Sequence, residues 1–315
     1  MFTAEIEQLL SKIEADNYSG AAELTVQAAD ALQAIGAQAG DDREIEGKIL
    51  AFGVRLISGQ PTMGSLFTLV NGALLGLAEQ YTGKTSGEFI ENYCSKFLDT
   101  LNKNEETLYR KAAGVLRDGD CILTHSASST VRETILAASE AGKAVSVICT
   151  ESRPQCEGVA LARALAEHGI TVRLIPDAAM EYYLTETDVV LLGADAVRTQ
   201  GFYNKIGTSM LAAAAHAHGV DLYVLCTLHK FIPPDAELPP QPMQDPAEVL
   251  PNAPRGLTPL NIYFEETPLR HCSGLISECG ILKPAKLRQK LHPLKTAPAL
   301  LNILADKTNQ SEAPL

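Results

Sequence analysis

Polar side chains that could act on a small anionic ligand stand directly after short apolar runs of the chain. Asp195 follows the run 189–192, and a carboxylate in that position is a candidate general acid or base, or a partner for sugar hydroxyls. Asn204 and Lys205 are interpreted as the start of the next helix, where an amide and an ammonium suit a phosphate or sugar hydroxyls. We expect these three side chains to form the centre of a ligand pocket.

Hydroxyl side chains follow another apolar run, at 121–125. Ser126, Ser128 and Ser129 stand where a helix would begin, and the free N–H groups and the dipole of a helix start favour an anion. Ordinary N-capping of that helix explains the same residues equally well. We expect Ser126 to share one cavity with Asp195.

An arginine after a third apolar run could contact phosphate. Arg153 follows the run 144–149, and a guanidinium grips phosphate with a fork of donors. A surface ion pair with Glu151 or Glu157 is an equally good explanation. If the loops share one edge of a sheet, Arg153 lies in the same cavity as Asp195.

The elements that must position these side chains are short strands separated by helices. Continuous apolar strands that alternate with helices are typical of a parallel sheet covered on both faces. Right-handed crossovers then give a doubly wound, Rossmann-like domain, in which ligands bind outside the carboxyl ends of the strands. The predicted strands are 121–125, 144–149, 171–175, 189–192 and 222–226, and the predicted helices between them are 129–141, 156–168, 178–186 and 207–218.

The first part of the chain is predicted to be helical. Apolar residues recur there every three or four positions, and Thr85 and Glu88 have the spacing of a capping box. The fold class is therefore α/β, with a helical N-terminal domain at 1–112 and a Rossmann-like, ligand-binding parallel-sheet domain at 113–315. The remaining predicted elements are an extended proline-rich loop at 232–254, edge strands at 261–264 and 275–276, and a helix at 285–291.

Composition and charge narrow the range of partners. The chain has 315 residues, is 46% hydrophobic and carries a net charge of −12, which does not favour nucleic acid or an anionic membrane surface. Its seven cysteines form no C-x-x-C pair, which indicates free thiols in a reducing compartment, and the N-terminus is an acidic amphipathic helix instead of a signal peptide. No apolar run reaches transmembrane length, so we expect a cytoplasmic protein.

No cofactor and no metal are expected. No G-x-G-x-x-G follows the first strand, which argues against a dinucleotide, and no zinc-type spacing occurs. The stretch 78–85 resembles a phosphate-binding P-loop, but it lacks the first glycine and follows a helix. His216 and His218 are two positions apart on a predicted helix and so do not share a face.

Six segments carry a family resemblance: ILTHSAS at 122–128, TESRPQCEG at 150–158, IPDAA at 175–179, LLGADAV at 191–197, NKIGT at 204–208 and SECGILKP at 277–284. In this order they resemble a family that contains the alpha, beta and delta regulatory subunits of translation initiation factor 2B. The family also contains two aldose–ketose isomerases, of methylthioribose 1-phosphate and of ribose 1,5-bisphosphate. The resemblance implies a homodimer or larger assembly, and the apolar stretch 275–282 favours the same conclusion.

The resemblance also implies roles for particular residues. The isomerases of the family pair a cysteine with the aspartate of G-A-D, and the two exchange protons while hydrogen moves between C1 and C2 of an opened sugar. Asp195 is that aspartate, and Ser126 stands at the cysteine position. Gly20, Ala21 and Gly158 stand at positions that contribute to ligand binding in the family.

Other positions depart from the isomerase pattern. The family's R-G-A corresponds to 18–21 and its T-R-P-T to 58–62, so neutral residues replace two phosphate-binding arginines. Glu157 replaces a ligand-facing glutamine. Losing an arginine at a buried phosphate costs about 2–5 kcal/mol, and a serine hydroxyl does not ionise near neutral pH as a thiol can.

These departures favour a protein similar to an initiation factor 2B subunit, which binds a phosphorylated sugar or a nucleoside monophosphate without isomerase chemistry. On this interpretation nothing activates Ser126, because strand alternation directs His125 to the opposite face. Asp195 would then only hold ligand hydroxyls. The alternative is an aldose–ketose isomerase of a sugar 1-phosphate, similar to the ribose 1,5-bisphosphate isomerases, that uses Asp195 as acid or base.

Overall fold

The computed structural model describes residues 2–16, 19–38, 41–79, 85–301 and 303–304. Helices make up the first part of these residues, and side chains cap the starts of several of them. The Asp41 side chain accepts from Glu44 N, and Thr85 and Glu88 form the reciprocal capping box that the sequence predicts. The helices are α1 (Ala4–Ala15), α2 (Ala21–Gly36), α3 (Asp42–Gly59), α4 (Gly64–Glu79) and α5 (Ser86–Ala113).

The second part of the chain alternates strands with helices. In chain order its elements are β1 (Cys121–Thr124), α6 (Ser129–Glu140), β2 (Ser146–Thr150), α7 (Glu157–Glu167), β3 (Thr171–Ile175), α8 (Met180–Tyr183), β4 (Val189–Gly193), β5 (Ala196–Val197), β6 (Gly201–Lys205), α9 (Thr208–His218), β7 (Asp221–Leu225), β8 (Phe264–Pro268), β9 (Gly274–Ser277), β10 (Gly280–Leu282) and α10 (Pro284–Leu291). A seven-stranded sheet has the order β3-β2-β1-β4-β7-β9-β10 and is parallel except for β10. The predicted fold class is confirmed.

The sequence pattern does not predict the second, three-stranded sheet. In it β5, β6 and β8 pair antiparallel, with β6 in the middle. Asn204 and Lys205 therefore lie at the end of a strand, and their interpretation as a helix start is wrong. The predicted edge strand 261–264 overlaps β8 only at Phe264, and the predicted helix 178–186 is the short α8 between two 3-10 turns.

The stretch 275–282 lies inside the fold instead of on its surface. Leu275 and Ile276 are fully buried in the sheet, whereas Ile281 is 41% exposed and Cys279 is also exposed. The stretch therefore gives little support to an assembly. None of the described helices is long and apolar enough to cross a membrane.

The end of the described chain returns to the helical part. Ala297, Leu300 and Leu304 are buried in the same core as α1 to α5. Asn71 in α4 fixes this return, because its Nδ2 donates to Lys295 O at 2.9 Å and its Oδ1 accepts from Ala297 N at 2.7 Å. The predicted division into two domains stays a prediction, since residues from both sides of it share one core.

Leu300→Ala tests whether the returning segment is part of that core. Leu300 is fully buried, and removing such a side chain costs about 2–5 kcal/mol of unfolding free energy. Val26→Ala is the matched control, because Val26 on α2 is 44% exposed and its truncation changes stability by about 0.5 kcal/mol or less. Urea unfolding measures both, and equal small losses would contradict the packing described here.

Candidate functional site

A cavity of about 120 Å³ opens where the carboxyl ends of β1, β2 and β4 meet the start of α2. Of the site residues that the sequence predicts, all but Arg153 and Gly158 line it: Gly20, Ala21, Ser126, Ser128, Ser129, Asp195, Asn204 and Lys205. Glu157, at the position of the family's ligand-facing glutamine, also lines it. The lining residues that the sequence did not single out include Ser19, Met63, Glu105, Gln155, Lys230 and Phe264. The strand-end rule thus locates the cavity, and other elements complete its wall.

Asp195 is fixed by its backbone, and its carboxyl group faces the cavity. Its N–H donates to Tyr203 O at 2.8 Å, and its carbonyl accepts from Gly64 N at 2.8 Å. Burial raises the pKa of the Asp195 carboxyl from 3.8 to about 6, while Lys230 and Lys205 partly offset that rise. A carboxyl group with such a pKa can both give and accept a proton near neutral pH.

Two lysines bring positive charge to the cavity. Lys205 is 3% exposed, with Nζ 3.0 Å from Glu157 Oε1 and 4.8 Å from the centre of the Tyr263 ring. Lys230 Nζ donates to Ala194 O at 2.6 Å, which leaves further protons of this ammonium for a ligand. Lys230 comes shortly after β7, so the strand-end rule applied to the run 222–226 would have found it.

Glu105 reaches the cavity from α5 in the helical part. Burial raises the pKa of its carboxyl, and the charge of Lys230 partly offsets this. No local pattern around Glu105 marks it as a site residue, because its position depends on how α5 packs against the sheet.

Ser126 adopts a left-handed backbone conformation directly after β1, with φ at 70°. Its N–H donates to Ser152 Oγ at 2.8 Å, and its Oγ donates to Glu157 Oε1 at 2.8 Å. Ser128 Oγ caps α6 by accepting from Val131 N. The proton of the Ser126 hydroxyl is thus used in a hydrogen bond to the Glu157 carboxylate.

His125 connects three strand ends through a chain of hydrogen bonds. Its Nε2 must donate to the carbonyl oxygen of Ile206, at 2.8 Å, so its Nδ1 accepts from Thr150 Oγ1 at 2.7 Å. Thr150 Oγ1 is in turn 2.8 Å from Ser152 Oγ. Burial lowers the pKa of His125, which keeps the ring neutral. Both ring nitrogens are occupied, so neither can activate Ser126.

The N-terminus of α9 is already occupied by a carboxylate. Glu265 Oε1 accepts from Gly207 N at 2.7 Å and from Ser209 N at 2.9 Å. Asn204 Nδ2 donates to Thr208 Oγ1 at 2.9 Å. An anion at this helix start, as the sequence interpretation had it, would compete with Glu265.

Arg153 and Gly158 lie outside the cavity. The exposed Arg153 side chain donates from Nη2 to Glu248 O at 3.2 Å. Gly158 is required by packing, since a Cβ there would lie 2.0 Å from Thr150 O. Neither residue has the geometry of a ligand contact in this structure.

The positions of the two replaced arginines have different surroundings. Gln60 is buried and its Nε2 donates to Ile13 O and Asp16 O, at 3.0 Å and 2.8 Å, so it joins helices instead of facing a ligand. Gly20 is the N-cap of α2, without a side-chain cap, and a Cβ there would meet nothing within 4 Å. Tyr18 and positions 80–84 of the P-loop-like stretch lie outside the described residues.

Two polar atoms in the cavity wall are buried without a partner. Gln155 Nε2 and Glu157 Oε2 have no hydrogen-bond partner among the described residues. Buried polar groups are normally paired, so a donor and an acceptor are available to a ligand. The same residues contain no cluster of three or more side chains that could hold a metal ion.

Comparison with known proteins decides the family. The sequence profile of the initiation factor 2 subunit family matches residues 17–284. The chain belongs to this family. The ribose 1,5-bisphosphate isomerase of Methanocaldococcus jannaschii is 32% identical, over 89% of this chain and 92% of that protein. A translation initiation factor eIF-2B subunit 2-like protein of Pyrococcus horikoshii is 30% identical, over 91% of this chain and 99% of that protein.

A solved structure gives the same result at the level of the fold. The crystal structure of the Pyrococcus horikoshii translation initiation factor eIF-2B superposes with a TM-score of 0.77 at 27% identity. The superposition covers 89% of this chain and 98% of that chain. The family member and this chain therefore share both parts of the fold.

The interpretation as a binder without isomerase chemistry is contradicted by these relatives. The Methanocaldococcus jannaschii protein and three others, 30–32% identical, are named ribose 1,5-bisphosphate isomerase. On the sequence interpretation nothing activates Ser126, and Asp195 only holds ligand hydroxyls. The structure places Glu157 in hydrogen-bond contact with Ser126, so the cavity keeps a second carboxylate.

Asp195→Asn tests the electrostatics of the cavity through stability. The unfolded chain releases the Asp195 proton at its ordinary pKa of 3.8, whereas the folded chain holds it up to about pH 6. The wild type should therefore lose about 1–3 kcal/mol of unfolding free energy relative to Asp195→Asn as pH rises through this window. Urea unfolding across the window measures it, and a pH-independent difference would show that the pKa of Asp195 is not raised.

Proposed function

We propose that this protein is an aldose–ketose isomerase of a phosphorylated sugar, similar in reaction to the ribose 1,5-bisphosphate isomerases. The observation that carries the proposal is Asp195, a carboxyl with a pKa of about 6 facing a cavity that also holds Lys205 and Lys230. Isomerisation between an aldose and a ketose needs protons to be given and taken at neighbouring oxygens. A group that titrates near the working pH suits that task.

Phosphate recognition is supported by helix starts and by the lysines. The start of α2 at Gly20 has no side-chain cap and opens on the cavity, and free N–H groups at a helix start favour an anion. Lys230 and Lys205 add ammonium groups. Ser128 and Ser129 at the start of α6 line the same cavity, which keeps them as proposed ligand contacts.

The reaction assigned to Asp195 is proton transfer to the sugar ring. In its acid form Asp195 gives a proton to the ring oxygen, so that the ring opens at C1. Hydrogen then moves from C2 to C1, and a ketone forms at C2. A positioned acid of this kind contributes about 10²–10⁴-fold to the rate.

The deciding experiment is an isomerase assay with ribose 1,5-bisphosphate, ribose 1-phosphate and methylthioribose 1-phosphate. We expect the wild type to convert at least one of them to the ketose, and Asp195→Asn to lower kcat by about 10²–10⁴-fold. Glu140→Gln is the control, because Glu140 is an exposed carboxylate at the end of α6 and should not affect turnover. Wild-type protein that converts none of the three would refute the proposal.

We also propose a homodimer or larger assembly. A structure with a similar fold is a tetrameric eIF2B beta–delta complex, and this chain exposes a run of apolar side chains between β7 and β8. A segment that exposes several large apolar side chains is a candidate interaction surface. Its members are Met243, Val249, Leu250, Leu257, Leu260 and Ile262.

Light scattering at micromolar concentration tests this assembly. We expect at least twice the mass of one chain, and we expect Leu260→Glu to lower that mass because Leu260 is 73% exposed within the apolar run. Leu174→Glu is the control, since Leu174 is exposed on β3 outside the run. A wild-type mass equal to one chain would contradict the proposal.

A further inference from the structure

We propose that Glu157 is the general base of the isomerase reaction and that the Ser126 hydroxyl positions it. The inference rests on the proposed function, since it assigns a proton acceptor to the same cavity. Two positions at which the sequence departs from the family's isomerases touch each other: Ser126 Oγ donates to Glu157 Oε1 at 2.8 Å. A hydroxyl and a carboxylate thus occupy the positions at which the family pattern has a thiol and an amide.

The two carboxylate oxygens of Glu157 have different surroundings. Oε1 accepts from Ser126 Oγ and lies 3.0 Å from Lys205 Nζ. Oε2 is buried and has no hydrogen-bond partner among the described residues, although the side chain lines the cavity together with Asp195. Because a buried carboxylate oxygen is normally paired, Oε2 is the atom that a ligand hydroxyl would reach.

Unusual backbone conformations hold Ser126 and Glu157 in fixed positions relative to each other. Ser126, Ser152 and Cys156 have positive φ angles of 70°, 64° and 59°, a conformation that residues other than glycine rarely adopt. Ser152 links the other two, because its Oγ accepts from Ser126 N at 2.8 Å and its carbonyl from Cys156 N at 2.9 Å. Such conformations cluster at functional sites, and here they set the distance between the hydroxyl and the carboxylate.

Charges around Glu157 separate its role from that of Asp195. Lys205 Nζ lies 3.0 Å from Glu157 Oε1, so these two side chains form an ion pair. Asp195 has a pKa of about 6, and the charge of Glu157 is one cause of the rise. The two carboxyl groups have unlike environments, since Glu157 contacts an ammonium and a hydroxyl whereas Asp195 is buried with a pKa of about 6. Such a difference matches a division between base and acid.

The step keeps all atoms and electrons within the sugar and the two carboxyl groups. Asp195 gives its proton to the ring oxygen, and the C1–O ring bond breaks with its electron pair on that oxygen. A hydrogen moves with its electron pair from C2 to C1. Glu157 Oε2 takes the proton of the C2 hydroxyl, and the O–H electron pair completes the C2 carbonyl. Solvent then returns the proton from Glu157 to Asp195, so no outside oxidant or reductant is needed.

The test compares Glu157→Gln, Glu157→Asp and Ser126→Ala on the substrate that the wild type converts. Glu157→Gln keeps an acceptor for Ser126 Oγ but removes the base, so kcat should fall by about 10²–10⁴-fold with KM changed by less than about tenfold. Glu157→Asp keeps a carboxylate and should retain more turnover than Glu157→Gln. Ser126→Ala leaves the base in place and should lower kcat by about tenfold or less.

The outcomes separate this inference from the proposed function. If the wild type converts the substrate and the kcat of Glu157→Gln lies within about tenfold of the wild-type value, the role of Glu157 is overturned. The isomerase proposal would then still stand. A rise in KM that accounts for the whole loss would show a binding role and would also overturn it. If urea unfolding shows that Glu157→Gln does not fold, Glu157→Asp becomes the deciding variant. Its carboxylate stands on a shorter side chain, so an unchanged kcat would contradict the proposed role of Glu157 as the base. A wild type without turnover removes the proposed function and this inference together.

Discussion

The position of Ser126 beside the cavity depends on a single hydrogen-bond chain through the buried ring of His125. It runs from Ser126 N through Ser152 and Thr150 to His125 and ends on Ile206 O. It therefore joins the ends of β1, β2 and β6, which come from two different sheets. Each group in the chain is hydrogen-bonded to the next one. Removing any of them leaves buried polar atoms unpaired, which lowers the stability of the fold. The neutral ring is thus a structural part of the site.

The cavity beside this hydrogen-bond chain contains charged groups of both signs. Asp195, Glu157 and Glu105 bring carboxyl groups, whereas Lys205 and Lys230 bring ammonium groups. Burial raises the pKa of Asp195 and of Glu105, and the charge of Lys230 partly offsets both rises. Lys205 forms an ion pair with Glu157. The positions at which the family resemblance implies a thiol and two arginines are neutral here, and the charge of the cavity comes from these five side chains instead.

Local sequence patterns predict those features that depend on neighbours along the chain. Thr85 and Glu88 mark a helix start because capping acts over three positions, and Asp195 is found because ligands bind where parallel strands end. The strand containing Lys205 is missed, since it pairs with β8 across the proline-rich segment and no local period reveals that partner. Glu105 is missed for a related reason, because helix packing alone brings it to the sheet.

The return of the last described residues to the helical part has a consequence for the order of events during synthesis. Asn71 and Ala297 are 226 positions apart and form one buried contact. At about 5–20 residues per second, a ribosome needs roughly 10–45 s to travel between them. During this interval the first helices have been made but their apolar core lacks Ala297, Leu300 and Leu304. The part of this core that the three residues cover is therefore completed only after nearly all of the chain has been made.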